Sequence, residues 1–295
     1  MKNDTFIVIQ DLKKKILRWR ILAFIGIFLI ILSYASAIFK HSSTKKNIIA
    51  KVDIKGVLLN DMISYEKLKE LNNDNIKGII LNINSEGGDV VESEKLYTFF
   101  RKISNNKPIV SIINSIGASG GYMVAMASDY IIAYNTSSVG SIGVLVQTYE
   151  ITELAKKLGI TLTNYKSSPL KAAPNPLEKI NPDVDMVISQ QINDVYDYFL
   201  NIFVERRKIK ITEAQEIANG QIYTGRQALE YGLIDKIGNE DDVIDYFKDN
   251  NVNIDEMEIV DFNIYRNNKF NFVDNFINSK VYNGLINRVM AIYNN

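Results

Sequence analysis

The 295-residue sequence has no cysteine, one histidine and five prolines, and its 34 basic side chains are balanced by 34 acidic ones. The missing cysteine removes disulfides, thiolate nucleophiles and cysteine-bearing zinc sites together. It suits an oxidising compartment as well as a reducing one, so it does not locate the protein. With His41 as the sole imidazole, a Ser-His-Asp triad has no base unless His41 supplies it. A formal net charge of zero argues against a general nucleic-acid binder, which needs a basic balance to meet phosphates. Hydrophobic residues make up 46% of the chain, enough for a sizeable core, so a disordered chain is not the expected state.

What is present begins with one long apolar run. Ile21 to Phe39 are 19 consecutive uncharged positions. At about 1.5 Å per residue such a helix spans about 28 Å, close to the ~30 Å hydrocarbon core. Lys13, Lys14, Lys15, Arg18 and Arg20 precede it, and Trp19 stands where an interfacial anchor would. The positive-inside rule predicts a basic cytoplasmic segment over residues 1–20 and a transmembrane anchor over 21–39, in contact with the lipid bilayer. Everything after it would lie on the extracytoplasmic side. Ala35-Ser36-Ala37 also forms a small-residue cleavage site, so a signal peptide removed after Ala37 is the alternative. Either way the body is exported.

Beyond a polar linker at residues 40–47, strands and helices alternate. Ile48–Lys55, Gly78–Asn84, Pro108–Asn114, Tyr130–Asn135 and Ile160–Tyr165 read as strands. Helices are expected from Ser64 to about Asn72, over Glu92–Ile103, and over Thr152–Leu158. Apolar residues at helical spacing extend the series to Asp183–Arg207, and Thr212 opens a further helix closed by Gly220. The alternation predicts one α/β domain with a largely parallel sheet over residues 48–250. A C-terminal extension, 251–295, follows. Its stretch Phe272–Ile292 has the pattern of an amphipathic helix, to be packed on a neighbouring subunit or on its own domain.

The chemistry centres on Ser119. Gly117-Ala118-Ser119-Gly120-Gly121 follows a strand and matches G-x-S-x-G, in which small residues permit a tight strand-to-helix turn that presents the hydroxyl. Such a match is also met as a plain glycine-rich turn. An α/β-hydrolase would place its histidine downstream of the serine, whereas His41 lies upstream, which excludes that reading. Lysine is then the available base, provided its surroundings disfavour the charged form. Lys171 lies in Ser167-Ser168-Pro169-Leu170-Lys171-Ala172-Ala173-Pro174, which carries no other charge. Lys166 competes, but directly follows an expected strand and should face solvent. The glycine pair of Asn82-Ile83-Asn84-Ser85-Glu86-Gly87-Gly88 ends the preceding strand, where a backbone N–H can meet a developing oxyanion together with that of Gly120. No GxxxxGK[ST] loop is present, so ATP-driven unfolding is not indicated.

At these motifs the sequence resembles the signal peptide peptidase SppA family, membrane-anchored serine proteases with a ClpP/crotonase-like fold. The resemblance covers roughly Lys51 to Gly238. It rests on NINSEGG, GASGGYM, Gly140-Ser141-Ile142-Gly143-Val144, SPLKAAPNP and NGQIYTGRQALEYGLIDKIG, in the family's order. It implies Ser119 as nucleophile, Lys171 as general base, Ser141 as the residue that orients the lysine amine, and Gly88 and Gly120 as oxyanion donors. It also implies a homo-oligomer with sites shared between subunits, peptide substrates such as signal-peptide remnants or unfolded membrane segments, and no metal or other cofactor. The location implied is the bacterial cytoplasmic membrane. Two departures stand out: Glu86 where the family has proline, and Ala172-Ala173 where other members often carry an acidic residue and a glycine. A crotonase-type acyl-CoA enzyme and a catalytically silent binding relative are the alternatives from other classes. The first has no use for an exported anchor or Lys171, and the second would have lost the serine or the lysine.

Overall fold

A computed structural model describes residue 16, residues 18–33 and residues 46–266 of the chain. The chain divides into two compact units, Met1–Lys46 and Asn47–Asn295. In the first, residues 18–33 form helix α1, and its large apolar side chains, Phe24, Phe28 and Ile30 among them, are exposed. Residues 34–39 of the expected anchor lie outside the described residues. Among the described residues no helix is long and apolar enough to cross a membrane.

The second unit is an α/β fold. Its strands are β1 (Ile48–Leu58), β2 (Ile76–Gly88), β3 (Ile109–Ala118), β4 (Tyr130–Ala133), β5 (Ser138–Gly140), β6 (Ile222–Thr224), β7 (Lys236–Ile237) and β8 (Glu258–Phe262). They build one sheet in the order β6-β5-β3-β2-β1-β8, with β4 paired to β3 and β7 to β4. Every pairing is parallel except β5 with β6. The central strands are near-continuous apolar runs because a parallel strand is covered on both faces. On one face Leu81, Ile83, Leu96, Phe100, Tyr122 and Phe203 form the main core. On the other, Ile49, Ile80, Val110 and Ile112 pack against Val243 and Phe247.

The helices are α2 (Tyr65–Glu70), α3 (Val90–Ser104), α4 (Gly120–Ala125), α5 (Thr152–Lys157), α6 (Pro182–Arg207), α7 (Ile211–Ile217), α8 (Gly225–Glu230) and α9 (Glu240–Asp249). Local chemistry sets their starts. The Asp89 carboxylate accepts the Glu92 N–H to open α3, and Asn181 with the following proline opens α6.

The short helix α4 is fixed at its far end by side chains from distant elements. Arg206 donates to the carbonyls of Met126 and Ser128 at 3.0 and 2.9 Å, and Arg101 donates to that of Ala127 at 2.9 Å. The buried Tyr122 hydroxyl donates to Leu233 O at 2.6 Å, and burial pushes the phenol well above its usual range. Arg207 grips both Asp235 oxygens at 2.7 and 3.1 Å and the Gly232 carbonyl at 2.6 Å. Burial works against its charge, yet the hydrogen bonds to Asp235 outweigh this and hold the guanidinium pKa above its usual value.

Two features differ from the sequence reading. Ile160–Tyr165 pairs with no strand among the described residues and is exposed, so its β-like alternation has no ladder to join within this chain. Residues 258–262, expected only as part of an extension, form β8, the edge strand beside β1. The proposed helix at 272–292 lies outside the described residues.

The Arg207 cluster gives a stability test. Arg207 is 11% exposed, so truncation leaves Asp235 and a carbonyl without their partner. Arg207→Ala is expected to lower unfolding free energy by about 2–4 kcal/mol, read from urea denaturation against the parent protein.

Candidate functional site

Ser119 stands between β3 and α4 with φ 49° and ψ −123°, outside the backbone regions that side chains with a Cβ favour. Two hydrogen bonds hold it there. Its N–H donates to Gly140 O at 2.8 Å, and its carbonyl accepts the Met123 N–H at 2.9 Å. The residue is half-buried. Gly120 opens α4, so its N–H has no acceptor within the helix.

The end of β2 reaches this turn backbone to backbone. A Cβ on Gly87, which has φ +98°, would lie 2.6 Å from the Gly120 nitrogen and 3.0 Å from Ser119 Cβ. A Cβ on Gly121 would run into the Ser85 carbonyl. Both glycines are therefore required by close approach. Ser85, fully buried, sets the approach: its hydroxyl donates to Gly56 O at 2.6 Å and accepts the Gly87 N–H at 3.1 Å. On α3, Ser93 packs against Gly120 and donates to Asp89 O at 2.8 Å. Neither serine is singled out by sequence reasoning. Ser85 sits inside a recognised motif, but Ser93 carries no signal beyond a small residue on a buried helix face.

Ser119, Gly88 and Gly120 share one cavity of about 20 Å³ with Val90, Met123, Val144 and Phe199. That is room for a single water molecule. Ser141 follows Gly140, whose carbonyl holds the Ser119 amide. It is half-buried at φ 50°, with its N–H donating to Gln221 O at 2.7 Å. The structure thus brings four of the five expected residues to one end of the sheet.

Lys171 is not with them. It is exposed, in a turn in which its N–H donates to Ser168 O at 3.1 Å, and it is absent from the cavity lining. Its amine forms no ion pair among the described residues. Lys166, expected to face solvent, is instead mostly buried and bound to Glu178 at 2.5 Å. The hydrogen bonds from Lys166 and Asn164 hold the Glu178 carboxyl below its usual range. A lysine paired with a carboxylate is kept charged, which removes Lys166 as the better base. Among the described residues, no cluster of three or more His, Cys, Asp or Glu side chains could hold a metal ion.

A serine on a left-handed strand-to-helix turn, beside amides brought close by a glycine pair, marks the serine-type hydrolases. Comparison with known proteins narrows the class. The family model described as peptidase family S49 matches residues 101–255, and the chain belongs to that family of serine peptidases. It is 32% identical over 257 residues to a protein of Enterococcus faecium named putative signal peptide peptidase SppA, covering 81% of this chain and 72% of that one. It is 35% identical over 194 residues to a putative protease of Methanocaldococcus jannaschii, covering 66% of this chain and 62% of the relative. It is 29% identical over 211 residues to Protease 4 of Haemophilus influenzae, of which it spans 34%.

Gly87→Ala puts a methyl group against the Gly120 amide. Loss of one such donor costs about 100-fold or more in turnover. The expected outcome is a loss of that size in fluorophosphonate labelling of Ser119, with the far-ultraviolet circular dichroism of the parent retained.

Proposed function

We propose that the protein is a membrane-anchored endopeptidase of the SppA type that works with a serine-lysine dyad. The observation that carries the reading is the Ser119 turn, packed by Gly87 at the Gly120 amide in one cavity with Gly88. Neutral Lys171 takes the Ser119 Oγ proton as Oγ bonds to the scissile carbonyl carbon. The resulting oxyanion accepts hydrogen bonds from the N–H groups of Gly88 and Gly120. Collapse breaks the C–N bond, and the lysine ammonium returns its proton to the leaving amine. Lys171 then deprotonates a water that attacks the acyl ester, releasing a carboxylic acid and restoring Ser119. Ser141 accepts a hydrogen bond from the lysine amine and orients it.

The lysine is supplied by a neighbouring copy. Support comes from its absence at the Ser119 cavity of its own chain and from its place on the segment 144–181. There Leu145, Tyr149, Leu158 and Tyr165 stand exposed, Tyr165 at 96%. Apolar side chains left in the open on a strap are what a packed subunit interface would cover.

Substrates are extended peptides, signal-peptide remnants among them. This reading is supported by the name of the Enterococcus faecium relative and by a cavity with no room for folded protein. The anchor is residues 21–39, supported by the exposed apolar surface of α1, with the N-terminus in the cytoplasm and the body outside.

The test uses full-length protein in detergent with an apolar fluorogenic peptide. Ser119→Ala and Lys171→Ala are each expected to be inactive. Mixed in equal amounts with subunit exchange, they should regain about a quarter of parent activity, because one site in four pairs an intact serine with an intact lysine. A mixture as silent as its components would overturn the shared site. Full turnover by Lys171→Ala alone would overturn the dyad.

A further inference from the structure

We infer that Glu86 is a specificity-determining residue that favours a basic side chain in the bound peptide close to the scissile bond. The inference rests on the peptidase reading of Ser119 and deepens it. Glu86 immediately precedes Gly87, whose backbone packs against the Gly120 amide and Ser119 Cβ. Two residues on, Gly88 lines the Ser119 cavity. The carboxylate is thus tied by a short, rigid stretch of backbone to the point at which a peptide bond is attacked.

Its direction follows from the strand. Along the end of β2, Ser85 and Gly87 are buried while Glu86 and Gly88 are exposed. Alternation therefore turns the Glu86 side chain outward, on the side that a substrate reaches. Neighbouring carboxylates are committed elsewhere: Asp89 accepts the Glu92 N–H, and Glu92 accepts the Tyr65 hydroxyl. Glu86 makes no ion pair or side-chain hydrogen bond among the described residues.

The residues that line the cavity are all uncharged. A negative group at the mouth of an uncharged site acts on whatever enters. It attracts a lysine or arginine side chain during encounter and raises the cost of an acidic one. A role in holding the lysine base is disfavoured, because a carboxylate against that amine would stabilise the protonated form and oppose proton uptake from Ser119.

The experiment uses the full-length protein and apolar fluorogenic peptides in which one position at a time, on either side of the scissile bond, is Lys, Gln or Glu. The readout is the ratio of kcat/KM for the Lys and Gln peptides, taken within one protein sample so that a partly misfolded variant does not distort it. At one or two adjacent positions the parent should favour Lys over Gln by about threefold, the size of an exposed ion pair. It should disfavour Glu at the same positions. Glu86→Gln should bring the ratio to one, Glu86→Lys should invert it, and salt at about 1 M, with a screening length of about 3 Å, should erase it.

Identical ratios for the parent and Glu86→Gln at every position would overturn the inference while leaving the peptidase intact. A parent that cleaves none of the Gln peptides and leaves Ser119 unlabelled by a fluorophosphonate would overturn the peptidase reading itself, and Glu86 with it.

Discussion

The contact on which the rest of the site depends is the approach of one backbone to another. The end of β2 lies against the turn between β3 and α4 at a distance that leaves no room for a Cβ on Gly87 or Gly121. Because the two segments meet without side chains between them, the amide of Gly120 and the hydroxyl of Ser119 are fixed relative to Gly88 by main-chain geometry. Rotamer choice hardly enters. Placement of this kind needs no reorganisation when charge develops, which is where electrostatic stabilisation gains its advantage over water. The unusual backbone angles of Ser119 are held in place by the amide bond to Gly140 O and by the first turn of α4.

A six-residue helix cannot supply that rigidity alone. The fold secures α4 from behind: Arg206 and Arg101 take the carbonyls that follow it, and Tyr122 ties its core-facing side to Leu233. These partners come from α3, α6 and the loop before β7, so the nucleophile is coupled to packing well away from it. The Arg207–Asp235 pair joins the end of α6 to the same loop. Two ends of the molecule therefore converge on one short helix.

Much of this was legible in the sequence because it is encoded locally. The glycine-serine-glycine turn and the glycine pair after GIILNIN are motifs in which each small residue has a steric reason to be there. Apolar runs likewise announced β1 to β4 within a few residues. What escaped is what depends on distant partners. Ile160–Tyr165 has the alternation of a half-covered strand, but alternation records only that a strand would suit the segment, not that a neighbour exists. The short β5, β6 and β7 are defined by their pairings more than by their composition. The charge-poor setting of Lys171 could be read directly. Its separation from Ser119 within one chain could not, because spacing along the sequence says nothing about which copy a loop serves. Lys166 shows the same limit, since its partner Glu178 lies across a loop.

The edge strand has a consequence for the order in which the molecule can be completed. β1 is the first strand of the sheet to be synthesised, yet Ile48 finds its partner at Glu258 and Val52 at Phe262, near the end of the described chain. Until those residues emerge, one side of β1 keeps a row of unpaired amides and carbonyls, the template on which other strands add. A ribosome-bound or half-exported chain would carry this open edge for most of its synthesis. The vulnerable period of the protein's life is thus its birth, and cellular factors that shield nascent β-edges should matter more for its yield than for its finished stability.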